Sequence, residues 1–209
     1  MAEARTISQF KSKLAGGAAR PNLFEVSIPS FPSSVSDAWN SSENGENGTF
    51  KFLCKAANLP ASTVAAINVP FRGRNLKIAG DKTFADWTVT VINDENFAHR
   101  AQFEQWMNSI NGASDNIRQG LGSSTDYTVD PVTVTQLSKL GEDTKARKYF
   151  LHYVFPTDIS PITLDWGDND TIEEYTVTFS FDYFTTEAGD VTGGVGGPSS
   201  PPIPENGPG

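Results

Sequence analysis

The chain has 209 residues and a formal net charge of −9, from 16 Lys and Arg against 25 Asp and Glu. Groove-reading of nucleic acid depends on clustered cations, so this balance argues against a DNA-binding domain. The single cysteine, Cys54, excludes an intrachain disulfide and a multi-cysteine zinc site, while 14 Phe, 5 Tyr and 4 Trp can furnish the core of one domain.

Residues 6–14 fit one or two helical turns with Ile7, Phe10 and Leu14 on one face, stopped by Gly16 and Gly17. The stretch before Leu14 carries Arg5, Lys11 and Lys13 and no apolar run, unlike a secretory signal. No run of residues is apolar enough to predict a membrane anchor. Residues 22–28 alternate, with Phe24, Val26 and Ile28 on one side, and predict a half-buried strand ended by Pro29 and Pro32. Residues 33–48 are Ser, Asn, Glu and Gly with two Asn-Gly turns, a polar surface insertion. Strand character returns over 49–58. A hairpin follows, with arms 63–69 and 74–79 and the tip Pro70-Phe71-Arg72-Gly73-Arg74.

Residues 84–92, dense in β-branched and aromatic side chains, give the clearest strand. The period then shifts from two toward 3.6. Asn93 and Asp94 are N-cap types, with Glu95 in the first turn. Phe103, Trp106, Met107 and Ile110 form an apolar stripe, and Asn111-Gly112 ends a helix of about four turns. On this phase His99 falls on the polar side. A loop over 113–130 precedes strands predicted at 132–138, 147–155, 161–165 and 173–185. After Glu187 the chain is Gly, Pro and Ser, a composition that predicts a flexible tail. The division is an N-terminal arm (1–18), a domain (19–186) and a tail (187–209). The fold class is α+β, mostly β: an antiparallel sandwich or barrel with one packed α-helix.

Catalytic and cofactor patterns are sparse. His99 and His152 are the two histidines, and no nucleophile elbow, phosphate-binding glycine loop or EF-hand spacing occurs. Cys54 beside Lys55 reads as a buried strand cysteine rather than an activated thiol. The run Asp165 to Glu174 reads as a solvated acidic turn rather than a calcium site. Trp39 or Trp166, if exposed, would suit stacking on a sugar, which leaves a glycan-binding sandwich as one reading. No enzyme activity, cofactor or metal is expected. Arg72, Arg74 and Lys77 form the sharpest basic cluster.

Several segments, in order, resemble the tail tube proteins of contractile-tailed, T-even-like bacteriophages. They are residues 19–26 (Ala-Arg-Pro-Asn-Leu-Phe-Glu-Val), 54–61 (Cys-Lys-Ala-Ala-Asn-Leu-Pro-Ala) and, most specifically, 79–94 (Ala-Gly-Asp-Lys-Thr-Phe-Ala-Asp-Trp-Thr-Val-Thr-Val-Ile-Asn-Asp). Phe103-Glu104-Gln105-Trp106, the stretch from Tyr153 to Trp166, and Phe181-Asp182-Tyr183-Phe184 complete the match over 19–184. The insertion at 33–48 and the tail from 187 depart from the family pattern.

The resemblance implies a tail tube-like fold and a structural subunit of the virion, made in the host cytoplasm. Its hexameric rings would share a continuous inner barrel and stack into a tube. The implied partners are the chain itself, the sheath protein, the tape-measure protein, the baseplate and the tail terminator. Genomic DNA would pass through the lumen without specific binding. A related ring-forming tail completion or secretion-tube component is the alternative. For inter-ring contact, the basic tip (Arg72, Arg74, Lys77) is expected to dock on an acidic surface of the adjacent ring at Asp168 and Asp170.

Overall fold

A computed structural model describes residues 7–13, 19–29, 31–32, 35, 53–117, 127–139 and 145–188. The helix α1 (Ile7–Lys13) precedes strands β1 (Phe24–Ser27), β2 (Cys54–Ala57), β3 (Ser62–Phe71), β4 (Arg74–Phe84) and β5 (Trp87–Ile92). Helix α2 (Ala98–Ile110) follows, then β6 (Val132–Leu137), β7 (Lys145–His152), β8 (Phe155–Ile159), β9 (Glu174–Ser180) and β10 (Tyr183–Ala188). All pairings are antiparallel. One sheet has the order β1-β6-β7-β10, a second β2-β5-β9-β8, and β3-β4 form a separate two-stranded sheet. The mostly-β, antiparallel expectation with one packed helix holds.

Alternation buries one face of each four-stranded sheet. Trp87, Val89 and Val91 of β5 and Tyr175, Val177 and Phe179 of β9 are nearly inaccessible. Val26, Val132, Val134 and Leu151 do the same for the first sheet, and both sets belong to one core with Phe103 and Trp106 of α2. Phe179 joins its own sheet to α2: its ring lies 5.4 Å from Trp87, 5.8 Å from Phe103 and 6.1 Å from Trp106. Both indoles find acceptors, Trp87 Nε1 donating to Asn58 O (2.6 Å) and Trp106 Nε1 to Tyr127 O (2.7 Å).

The structure departs from the sequence reading at identifiable points. The strand expected over 147–155 breaks at Tyr153, whose φ of 57° is left-handed; β7 ends there and β8 begins two residues on. No strand occupies 161–165, which is loop. The strand expected over 173–185 divides at Phe181–Asp182, so β9 and β10 lie in different sheets. The segment 84–92 also divides, Phe84 closing β4 and Trp87 opening β5. In α2 the N-cap is Phe97 (φ 53°), not Asn93 or Asp94, although Asp94 Oδ2 accepts from Ala98 N at 3.3 Å. The buried face of α2 is His99, Gln102, Phe103 and Trp106, so His99 is internal rather than on the polar side. The insertion 33–48 lies outside the described residues except for Val35, which is buried in the core. The tail beyond 188 also lies outside them.

Removing the ring that joins the β2-β5-β9-β8 sheet to α2 leaves a cavity that its neighbours cannot close. Phe179→Ala should therefore cost about 3–5 kcal/mol, read as a lowered urea midpoint of the unassembled chain against wild type.

Candidate interaction surfaces

Which backbone edges remain open follows from strand chemistry. In the sheet β2-β5-β9-β8 both edges are blunted. β2 shifts register between Cys54 and Ala56, which breaks its regular pairing. β8 contains Pro156, which has no N–H, and shifts register between Pro156 and Asp158. Helix α2 also packs beside β8, with Arg100 Nη1 donating to Ser160 O at 3.2 Å. In the sheet β1-β6-β7-β10 the edge strands carry neither proline nor bulge along their paired length. Leu137 N donates to Leu23 O at 2.9 Å, so alternate β1 residues face β6, and the N–H and C=O of Phe24 and Val26 face away from it.

The face of that sheet away from the core follows from register, since directly paired residues share a face. Glu25, Thr135, Lys148 and Glu187 form one row across the four strands; Ser27, Thr133, Phe150 and Thr185 form the next.

The hairpin β3–β4 stands apart. Every residue of β3 is exposed. Ile67 pairs with Ile78, Val69 with Leu76 and Phe71 with Arg74, placing five apolar side chains and one arginine on one face. Asn68 with Lys77 and Pro70 with Asn75 occupy the other. Arg72 (φ 44°) and Gly73 (φ 84°) make the two-residue turn, where positive φ at both positions matches strand twist and suits glycine at the second. At the base, Gly80 sits in a bulge where a Cβ would come within 3.0 Å of Ile67 Cγ1. Lys82 Nζ lies over the Phe84 ring at 5.1 Å. The expected basic cluster is thus divided: Arg72 is at the turn, Arg74 on the apolar face and Lys77 on the reverse.

The acidic run is the loop between β8 and β9. Asp165 Oδ1 accepts from Gly167 N at 2.8 Å, and Asp168 N donates to Asp165 O at 3.2 Å. A cleft of about 590 Å³ is lined by Leu164, Asp165, Trp166, Asp168, Ile172 and Glu173, among others. Asp170 is exposed nearby but is not in its lining. The Trp166 indole is fully exposed, with Leu164 at 78% and Ile172 at 71%. Trp39 lies outside the described residues.

Among the described residues no three His, Cys, Asp or Glu side chains converge as metal ligands. No described helix is long and apolar enough to cross a membrane. Burial pushes the Cys54 thiol up to about 12, so it is an inert core residue. His152 Nδ1 lies 2.6 Å from Asp130 Oδ1, its Nε2 3.1 Å from Thr185 Oγ1, and its ring stacks on Tyr183 at 4.6 Å. That order matches a nucleophile relay, but neither the cleft above nor the groove beside α2 is lined by any of the three. The contacts pin β10 to β7.

Open edges, an outlying amphipathic hairpin and an acidic, apolar cleft define a structural protein built to associate through its surface. The chain belongs to the phage tail tube protein family, whose profile matches residues 19–187. It is 35% identical over 170 residues to the tail tube protein gp19 of Enterobacteria phage T4, covering 81% of this chain and 93% of that one. It is 36% identical to its counterpart in phage T6, with the same coverage. In fold it is similar to a chain of the sheath–tube complex of an extracellular contractile injection system in its extended state (TM-score 0.57, 16% identity, 88% of this chain and 99% of that one). The protein is a structural virion component and not an enzyme.

His99 is 4% exposed, with Nδ1 3.7 Å from Asp94 Oδ1. Desolvation holds its pKa below the ordinary 6.5, opposed by Asp94. The folded chain thus resists protonation more than the unfolded one. The stability this contributes is complete above 6.5 and is lost as pH falls below it. Thermal unfolding of the unassembled chain should shift downward from pH 7.5 to about 5, and His99→Gln should flatten that slope; an unchanged slope would show that other groups carry it.

Proposed function

We propose that the chain is the ring subunit of the inner tube of a contractile tail, six copies closing a ring and rings stacking into a hollow tube that conducts DNA. The observation that carries ring closure is the sheet with two regular, unblunted edges. Its four strands alternate in direction, so β1 and β10 run opposite ways. Placing β1 of one copy beside β10 of the next continues the antiparallel order without a break. Around a closed ring no edge is left unpaired, which satisfies the outward amides of Phe24 and Val26 and prevents open-ended aggregation in the ring plane.

Closure turns the sheet's outer face toward the channel. Each copy then contributes Glu25 and Glu187 against Lys148, among Ser27, Thr133, Phe150 and Thr185. Hydroxyls and an excess of carboxylate offer passing phosphates no cationic track. In sequence, the arm 1–18 and the tail flank this tube domain, the tail beginning beyond β10 rather than at residue 187. Sheath, tape-measure protein, baseplate and terminator meet the ring's outer wall, lumen and ends, and no membrane anchor is involved. Support for a sheathed tube comes from the likeness in fold to the injection-system chain above.

Hydrogen exchange read by mass spectrometry tests the closure. On passing from unassembled chain to tubes verified by electron microscopy, residues 22–28 and 183–188 should gain protection, and 54–57 and 155–159 should not. Protection gained at β2 and β8 instead would place the joint in the other sheet.

A further inference from the structure

We infer that rings are joined by insertion of the β3–β4 tip of one copy into the cleft between β8 and β9 of a copy in the next ring, a contact both apolar and ionic. This rests on the self-assembly proposed above and gives the axial contact its partners.

Geometry is the first support. The β2–β5–β9 register fixes both features relative to one sheet. The hairpin leaves at the end where Ala57 pairs with Val89 and Trp87 with Phe179. The acidic loop enters β9 at the other end, where Ile92 pairs with Glu174 and Asn93 N donates to Glu173 O. The six residues of β5 separate the two ends, about 20 Å at the rise of a strand. The hairpin points away from its own cleft, so the two surfaces meet only between copies. Copies related this way are head to tail, and such a contact propagates along an axis instead of closing on itself.

Chemistry is the second support. Two strands with nothing behind them are marginal in water, yet here one face bears Ile67, Val69, Phe71, Leu76 and Ile78, all exposed. A contiguous apolar patch of this kind on a soluble subunit marks a contact surface. The cleft offers a matching pair of properties: Leu164, Trp166 and Ile172 for the apolar face, and Asp165, Asp168 and Glu173 for the arginines. Arg74 shares the apolar face and Arg72 extends over the Phe71 ring at 5.5 Å, so both arrive with the hydrophobic payload. Lys77, on the reverse face, is outside the contact, and Asp168 rather than Asp170 is the carboxylate in the cleft lining that would receive the arginines.

Two variants that each add one cysteine test the contact, since Cys54 is buried and does not compete. Arg72→Cys and Asp168→Cys, mixed and oxidised under assembly conditions, should give a disulfide-linked dimer, while neither variant alone should. Absence of the mixed dimer, or equal amounts from each variant alone, overturns the pairing. Arg72→Glu with Arg74→Glu should leave rings intact and abolish stacks in electron micrographs, and adding Asp165→Arg and Asp168→Arg should restore them. Stacks of wild-type length from the doubly reversed hairpin, or no restoration by the swap, overturn it as well. Loss of the rings themselves in wild type would strike the ring-closure reading, whereas the mixed disulfide reports the hairpin contact independently of it.

Discussion

Phe179 is the point on which the domain depends. It stands on β9 between Trp87 on the neighbouring strand and Phe103 and Trp106 on α2, and Phe31 closes the group from the far side of Trp106 at 4.9 Å. Rings of this size bury the most apolar area per residue and lock relative orientation through edge-to-face contact. Because α2 is held here, it lies beside β8, an edge that Pro156 and a register shift also blunt. The core packing therefore sets α2 on the sheet whose edges are already irregular and leaves the sheet with regular edges without a helix beside it.

The same core leaves a division of labour on the surface. The sheet covered by α2 has blunt edges and ends its strands in two projecting features, the hairpin at one end and the acidic loop at the other. The uncovered sheet has clean edges and a polar outer face. Backbone pairing at a sheet edge is directional and closes when the rotation between copies permits. Side-chain docking of a projecting tip into a cleft extends without limit. In the assembly proposed above, separating the two on different sheets would let the ring plane and the tube axis be set by different residues.

How much of this was legible follows from the kind of signal each feature leaves. Period-two alternation identified β5 and most of β9 because Trp87, Val89, Val91, Tyr175, Val177 and Phe179 meet one continuous core. It failed at Phe181–Asp182 because alternation persists through Tyr183 while the chain changes sheet. Tyr153 gave no warning, since a left-handed φ at a tyrosine is imposed by tertiary context. His99 was misplaced because α2 buries Gln102 and His99 beside Phe103 and Trp106, so a purely apolar stripe misjudges the buried face. The splitting of the basic cluster was present in the spacing: Arg74 and Lys77 are three apart, and in a strand that puts them on opposite faces. The apolar stripe of the hairpin was visible too, but alternation alone cannot say whether a core lies behind it.

That last ambiguity bears on how the tube is built. A half-apolar hairpin is indistinguishable in sequence from a strand pair of the core, because both obey the same period; only its detachment from both four-stranded sheets shows the burial to be deferred. Deferring it has a physical consequence. In the assembly proposed above, the apolar area that would ordinarily stabilise the folded chain is held for the contact between copies, so that folding of the subunit and stacking of rings draw on different side chains. A subunit whose core takes from the hairpin only Phe84 at its base does not need the rest of the hairpin's apolar face in order to fold. The charged residues at the tip and in the cleft then set which surfaces meet and in what register, while the buried hydrocarbon supplies most of the affinity.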